Sequence, residues 1–351
     1  MAHLLLLALM TVAGAVFVAR FFATGGPAPQ SSSRMPFIAS VDTMKESMDT
    51  DRQGSQLSES DIAADVNLTS RLDTTHIAVD TYWDYPAYLG RWVAAVRAAH
   101  KHVWFRLHPN RWEGADGTLA SLPPADYLRS ERAFIVAHPT LFRPGDILDA
   151  CPEPENSPYW RKAYGANWTS SRIAVDAYNR FILDSTDVAW HALRERGIYN
   201  VVTTIRSVTA WFALHPAILY PSTVAHLGAV TVDSYPDGPF VDPARAARAR
   251  IAELGVIERI RRVPIVLGEM GYSARMLVDD STQRSVLAAE FAALGRLSYL
   301  GGVNYWVGAG SAQYDGTRLF TGTRGAWSLR PAGHVLAVFF AHERQPHATL
   351  P

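Results

Sequence analysis

The stretch "RRVPIVLGEMGYS", residues 261–273, sets a run of apolar residues against a carboxylate. From Val263 to Leu267 every residue but Pro264 is a branched aliphatic, and Gly268, Glu269, Met270 and Gly271 follow. An apolar run of this length reads as a strand buried on both faces. Burying a carboxylate is costly unless it has a partner or a task. Glu269, at the end of such a strand, is therefore a candidate functional group.

Working outward, the same unit recurs along the chain: a short apolar strand, a polar loop, an amphipathic helix. Strands are predicted in "MPFIASVDTM" (35–44), "THIAVDTYWD" (75–84), "HVWFRLHPN" (102–110), "GDILDACPEPEN" (145–156), "NVVTTIRSV" (200–208), "GAVTVDSYPD" (228–237), "VPIVLGEMGYS" (263–273) and "GGVNYWVGAG" (301–310). Helices are predicted between them, the longest over residues 171–197, and a last helix over 330–344. Eight strand–helix units over residues 35–345 predict one (β/α)8 TIM barrel in the α/β class. A doubly wound open sheet is the rival, but no glycine-rich phosphate loop follows the first strand. A second domain is not expected.

The bulk composition excludes several classes. The formal net charge is zero, the cations are almost all arginine (the only lysines are Lys45, Lys101 and Lys162), and the chain has no basic run of the kind that neutralises phosphates, so nucleic acid is not an expected partner. The one cysteine, Cys151, excludes a disulfide framework and a cysteine-based zinc site. It lacks a histidine partner and is expected to be buried. Ten Trp and fourteen Tyr serve mostly as packing. Trp83, Trp112, Trp160 and Trp168 fall in or near strand-end loops, where flat rings can also meet sugars. The apolar stretch Leu4–Ala19 is expected to belong to a signal peptide or signal anchor over residues 1–23, with a linker over 24–34. That places the barrel outside the cytoplasm, secreted or anchored, with membrane contact only through this segment. The barrel is expected to be a monomer.

In a barrel of this kind the chemistry sits at the C-terminal ends of the strands. Glu269 ends strand seven, and Glu153 and Glu155 follow strand four. Two carboxylates across one mouth can break a glycosidic bond, one protonating the leaving oxygen while the other attacks the anomeric carbon. "PIVLGEMG" (264–271) resembles the strand-seven motif of clan A retaining glycoside hydrolases, the superfamily that includes family 5 cellulases and β-mannanases. "LDACPEP" (148–154) is similar to their strand-four motif, in which Asn-Glu-Pro carries the acid/base. The resemblance implies that Glu269 is the nucleophile and Glu153 the acid/base, with Glu155 as the alternative acid or a substrate contact. It departs at Pro152, which stands where the family has an asparagine that hydrogen-bonds the sugar 2-hydroxyl; Asn156 is the candidate substitute. It further implies that His108 on strand three contacts substrate, that Tyr235 touches the nucleophile, and that Trp306 floors the sugar site. Asp233 stands where the family usually has histidine. Arg106 is either a substrate contact or the ion-pair partner of Glu269, a part Arg206 could also play. A carbohydrate substrate and no metal or organic cofactor are implied.

Two rivals remain. A non-catalytic glycan-binding barrel is favoured by Pro152. A metal-assisted hydrolase would need a strand-end cluster such as His108, Asp80 and Asp233. The pair His100 and His102 has the spacing of a barrel metal motif but precedes strand three, on the face opposite the chemistry.

Overall fold

The computed structural model describes residues 36–52, 55–109, 122–236, 242–272, 279–309 and 317–344, without side chains for 49–52. The expected leader and linker, and Trp112, lie outside the described residues. Among the described residues no helix is long and apolar enough to cross a membrane.

Eight parallel strands form the barrel: β1 (Ile38–Asp42), β2 (His76–Tyr82), β3 (His102–His108), β4 (Ile147–Asp149), β5 (Ser207–Thr209), β6 (Val230–Ser234), β7 (Ile265–Met270) and β8 (Leu300–Tyr305). Hydrogen bonding runs β4-β3-β2-β1-β8-β7-β6-β5, with β1 pairing β8. The gap between β4 and β5 is bridged differently. Ile147 and Val202 form an isolated parallel bridge. The Asp149 carboxylate accepts from the Ser207 amide at 3.0 Å and its hydroxyl at 2.6 Å. Arg206 donates to the Leu148 carbonyl at 3.0 Å. Three backbone hydrogen bonds also cross the seam, Gly145 N to Asn200 O, Val202 N to Asp146 O and Leu148 N to Val202 O, each at 2.8 Å, so the polar side chains reinforce a short backbone ladder. The predicted fifth strand, residues 200–208, pairs with β4 at its start and with β6 at its end, where Ser207–Thr209 form β5.

Helices start where sequence chemistry allows. Ser58 caps Glu59–Ser70, Ser171 caps the long helix Arg172–Glu195, and Asp242 followed by Pro243 opens Pro243–Arg261. Asp279 caps Asp280–Leu294 through the Thr282 amide, and these hydrogen bonds pull its carboxyl down to about 2. Pro331–Glu343 closes the chain as predicted. Several elements were not predicted: the helix Met44–Arg52 directly after β1, the short helices Pro158–Tyr164, Ala210–Leu214 and Pro221–Leu227, and an antiparallel hairpin of β9 (Phe320–Thr323) and β10 (Ala326–Leu329). The short helices carry too few residues to show a period.

The barrel interior is layered. Ile38, Ala78, Trp104, Ile147, Ile205 and Val266 form an apolar plug near the N-terminal ends of the strands. Strand residues alternate faces, so the next inward position is two residues on. There the side chains turn polar yet stay buried: Asp80, Arg106, Asp149 and Ser207, joined by Asp42, Asp233 and Asn304. Val79, Phe105, Leu148, Val232, Leu267 and Val303 point the other way into the larger core under the helices. His102 begins β3 with its ring 5.3 Å from that of His76, so the His100/His102 pair does lie at the end of the barrel remote from the strand tips.

Candidate active site

Glycine at 268 makes the centre of the site possible. A Cβ there would lie 2.5 Å from Asp233 Oδ1, 2.8 Å from Thr231 Cγ2 and 2.9 Å from Ser207 Oγ. Arg106 reaches across from β3 to this stretch of β7. It donates to the Gly268 carbonyl at 2.8 Å and to Glu269 Oε1 at 2.5 Å. Asn304 Nδ2 donates to the same carbonyl at 2.9 Å and to Asp42 Oδ2 at 3.0 Å. The β6–β7 and β7–β8 pairings both shift register here, which lets Glu269 reach the mouth although Gly268 before it also faces inward. Gly271 plays a matching part, since a Cβ there would lie 2.6 Å from the Trp306 carbonyl and 2.9 Å from the Tyr235 ring. Both glycines of the "GEMG" motif are places of close approach.

The second carboxylate oxygen of Glu269 accepts from the Tyr235 hydroxyl at 2.5 Å. Burial, reinforced by the Glu269 charge, keeps that phenol protonated far above its usual range. The Tyr235 ring stands edge-on to Trp306, with centroids 5.7 Å apart. Trp306, just past β8, donates from its indole nitrogen to Met44 Sδ at 3.4 Å, and Lys45 Nζ lies 5.2 Å from its ring centroid. The Trp306–Val307 peptide is cis.

Glu153 sits in the bend after β4, between Pro152 and Pro154, with φ 44° and ψ 56°. A non-glycine residue in this left-handed region stores about 1–3 kcal/mol and marks sites where geometry matters more than stability. The conformation is held by the Glu153 amide donating to the Ser207 carbonyl at 3.0 Å and by Asn156 N donating back to Glu153 O at 2.9 Å. Asn156 Nδ2 donates to Glu153 Oε2 at 2.9 Å. The Glu153 charge acts on both Asp233 and Tyr235, the residues beside Glu269.

The expected site residues therefore separate into two tiers. Glu269, Tyr235, Trp306 and Glu153, with Asn156 on it, gather at the strand tips. His108, 2% exposed, ends β3, with its ring 5.2 Å from Tyr82 and Nδ1 donating to the Pro109 carbonyl at 3.0 Å. Arg106 and Asp233 lie beneath, 1% and 3% exposed. Of the two arginines considered as partners of Glu269, Arg106 pairs with it, and Arg206 instead spans β4 and β5. Glu155 turns away from Glu153: its carboxylate accepts from the Thr209 amide at 2.6 Å and from the Tyr178 hydroxyl at 3.0 Å. Burial lifts its carboxyl to about 7 against those hydrogen bonds. Trp160 and Trp168 stack on each other beside Tyr178, and Trp83 packs on Tyr127 and Phe134, all as core. Cys151 is buried and free, its thiol pushed well up by burial.

Sequence reading passed over Asp42, Asn304 and Lys45. Asp42 and Asn304 are the inward polar residues near the ends of β1 and β8; laying the eight strands side by side would have exposed the pattern. Arg106 is flanked by Asp80 at 3.4 Å and Asp42 at 3.7 Å as well as Glu269. Burial raises Asp42 even so, opposed chiefly by Arg106. Among the described residues no group of three or more His, Cys, Asp or Glu side chains is arranged to hold a metal ion.

No family model matches the chain, and no curated protein matches its sequence. Solved structures do match its fold. A GH5_18 from Streptomyces cattleya in complex with GlcNAc superposes with a TM-score of 0.61 at 16% identity, covering 91% of this chain and 82% of that one. A GH5_18 from Bifidobacterium longum subsp. infantis gives 0.59 at 16%, covering 89% and 80%. The GH113 beta-mannanase AaManA from Alicyclobacillus acidocaldarius, in complex with ManMIm, gives 0.54 at 13%, covering 88% and 98%. The chain thus has the (β/α)8 fold of these glycoside hydrolases, the superfamily its motifs resemble.

Proposed function

We propose that this chain is a glycoside hydrolase that cleaves O-glycosidic bonds of an oligo- or polysaccharide with retention of configuration. The observation that carries the reading is the setting of Glu269: a carboxylate at the C-terminal end of β7, one oxygen fixed by Arg106 and the other by Tyr235. Two charged or strong donors hold it ionised and aimed, as a nucleophile requires. Glu269 attacks the anomeric carbon while Glu153 protonates the departing oxygen, forming a glycosyl–enzyme ester. Glu153 then takes a proton from water, which attacks the same carbon and frees Glu269. Glu153 is favoured over Glu155 as the acid/base because Glu155 has both oxygens engaged by Thr209 and Tyr178.

Trp306 and His108 supply the walls of the sugar site. Arg106 and Asp233 act from below, through Glu269. Solved neighbours include a GH5_18 variant bound to Manb1-4GlcNAc and a beta-mannanase, so β-1,4-linked mannosides are the substrates to try first. The apolar N-terminal stretch supports export or anchoring at a membrane.

The second reading, a glycan-binding barrel without turnover, is favoured by Pro152, which removes the usual asparagine beside the acid. Turnover of aryl β-glycosides by wild type, Glu269→Gln and Glu153→Ala decides between them. The hydrolase reading expects Glu269→Gln to lose at least about 10³-fold in kcat. It expects azide to restore part of the Glu153→Ala activity on substrates with good leaving groups. Binding of mannosides with no turnover by wild type would establish the binder instead.

A further inference from the structure

Asp233 is the inward residue of β6, in register with Glu269 on β7. It is 3% exposed, and neither carboxyl oxygen has a hydrogen-bond partner. The groups facing it from the surrounding elements are Arg106 on β3, Asp149 on β4, Glu153 after β4 and Glu269 on β7. Three of the four are acids. The one cation, Arg106, is committed to Glu269 at 2.5 Å, with Asp80 at 3.4 Å and Asp42 at 3.7 Å. No ion pair joins it to Asp233 among the described residues. A buried anion with no hydrogen-bond donor, facing a cation already paired with three other carboxylates, is strongly disfavoured, and the ionised Glu269 in register beside it disfavours it further.

From this geometry we infer that Asp233 is a neutral carboxylic acid in the resting protein, a positioning residue that leaves Arg106 to Glu269 and keeps Glu269 the ionised member of the pair. Its influence on catalysis rests on the function proposed above; its protonation does not. Burial and the Glu269 charge both push this carboxyl far above the usual aspartate range, in agreement.

The sign of the resulting pH dependence is fixed. The folded chain holds a proton on Asp233 that the unfolded chain releases above about pH 4, so this residue's contribution to stability declines as pH rises. Asp233→Asn, neutral and of the same shape, removes that decline. Its melting temperature is expected to exceed that of wild type by a margin that grows from about pH 4 to about pH 8. A margin that stays constant, shrinks or reverses over that range overturns the inference. Infrared spectra of protein carrying ¹³C-aspartate give a second test. Wild type at neutral pH should show a protonated-carboxyl band that Asp233→Asn lacks; a wild-type spectrum without the band, or one that Asp233→Asn leaves unchanged, overturns the inference. In kinetics, the acid limb of kcat/KM in Asp233→Asn should coincide with that of wild type, whereas a limb moved to lower pH would mean that an anion had been removed. The melting and infrared results do not depend on turnover, so they can fail while the hydrolase reading stands, and the reverse.

Discussion

Replacing Arg106 by methionine keeps much of the side-chain volume and removes the guanidinium that crosses the barrel. The Gly268 carbonyl still accepts from Asn304 at 2.9 Å, so the backbone loses little. The carboxylates lose more: Glu269, Asp80 and Asp42 all lie within 3.7 Å of that guanidinium and are buried. Breaking a buried ion pair by removing one partner costs about 3–5 kcal/mol. The ceiling comes from proton uptake. A carboxyl that ionises near pH 4 when unfolded can be kept neutral at pH 7 for about 4 kcal/mol, and at pH 5 for about 1.5 kcal/mol. Acids forced neutral in the folded state contribute stability at low pH that is lost as pH rises. The penalty of Arg106→Met should therefore be about 3–5 kcal/mol at pH 7, relieved by one of these carboxyls taking up a proton, and shrink by about 2–3 kcal/mol as pH falls to 5. Urea unfolding of both proteins at the two pH values measures it. A penalty under about 1 kcal/mol, or one equal at both pH values, would refute the view that this arginine is the charge centre of the barrel.

Three further predictions follow from the same geometry. Gly268→Ala drives a methyl into Asp233, Thr231 and Ser207, and should cost about 1–3 kcal/mol in thermal stability together with about 10²-fold in kcat as Glu269 is displaced. Tyr235→Phe removes one charged hydrogen bond from the buried Glu269; kcat/KM should fall by about 10- to 150-fold and folding stability by about 1–3 kcal/mol. Glu155 is lifted to about 7, so wild type loses stability relative to Glu155→Gln as pH rises through the interval from about 4.3 to 7, and melting curves of the two across that interval should diverge.

The barrel was legible because its strands are apolar and short and its helices long and capped. The apolar run of "VPIVLGEMGYS" marked Glu269 as the end of a strand, but not its facing: strict alternation would have turned it outward, and the register shift after Leu267 brings it to the mouth. What sequence alone left open was which of two nearby acids faces the mouth. Glu153 and Glu155 are two residues apart in a turn-like run, and only the left-handed backbone at Glu153 and the Thr209 and Tyr178 contacts of Glu155 separate them. The depth of Arg106 and Asp233 was hidden for a related reason: polar residues in a strand normally mark its solvent face, whereas here they fill a closed interior. The β4–β5 seam was only partly legible: its backbone pairing falls on residues 200–202, ahead of β5, and the remainder is made by the side chains of Asp149 and Arg206.

The most direct measurement is covalent trapping with a panel of mechanism-based fluoro-glycosides, β-mannosyl among them, followed by peptide mapping. The account predicts one sugar per chain, esterified to Glu269, with turnover lost in step with labelling. A label on Asp233, Glu155 or any other residue, or continued turnover by protein whose Glu269 has been replaced, would contradict it.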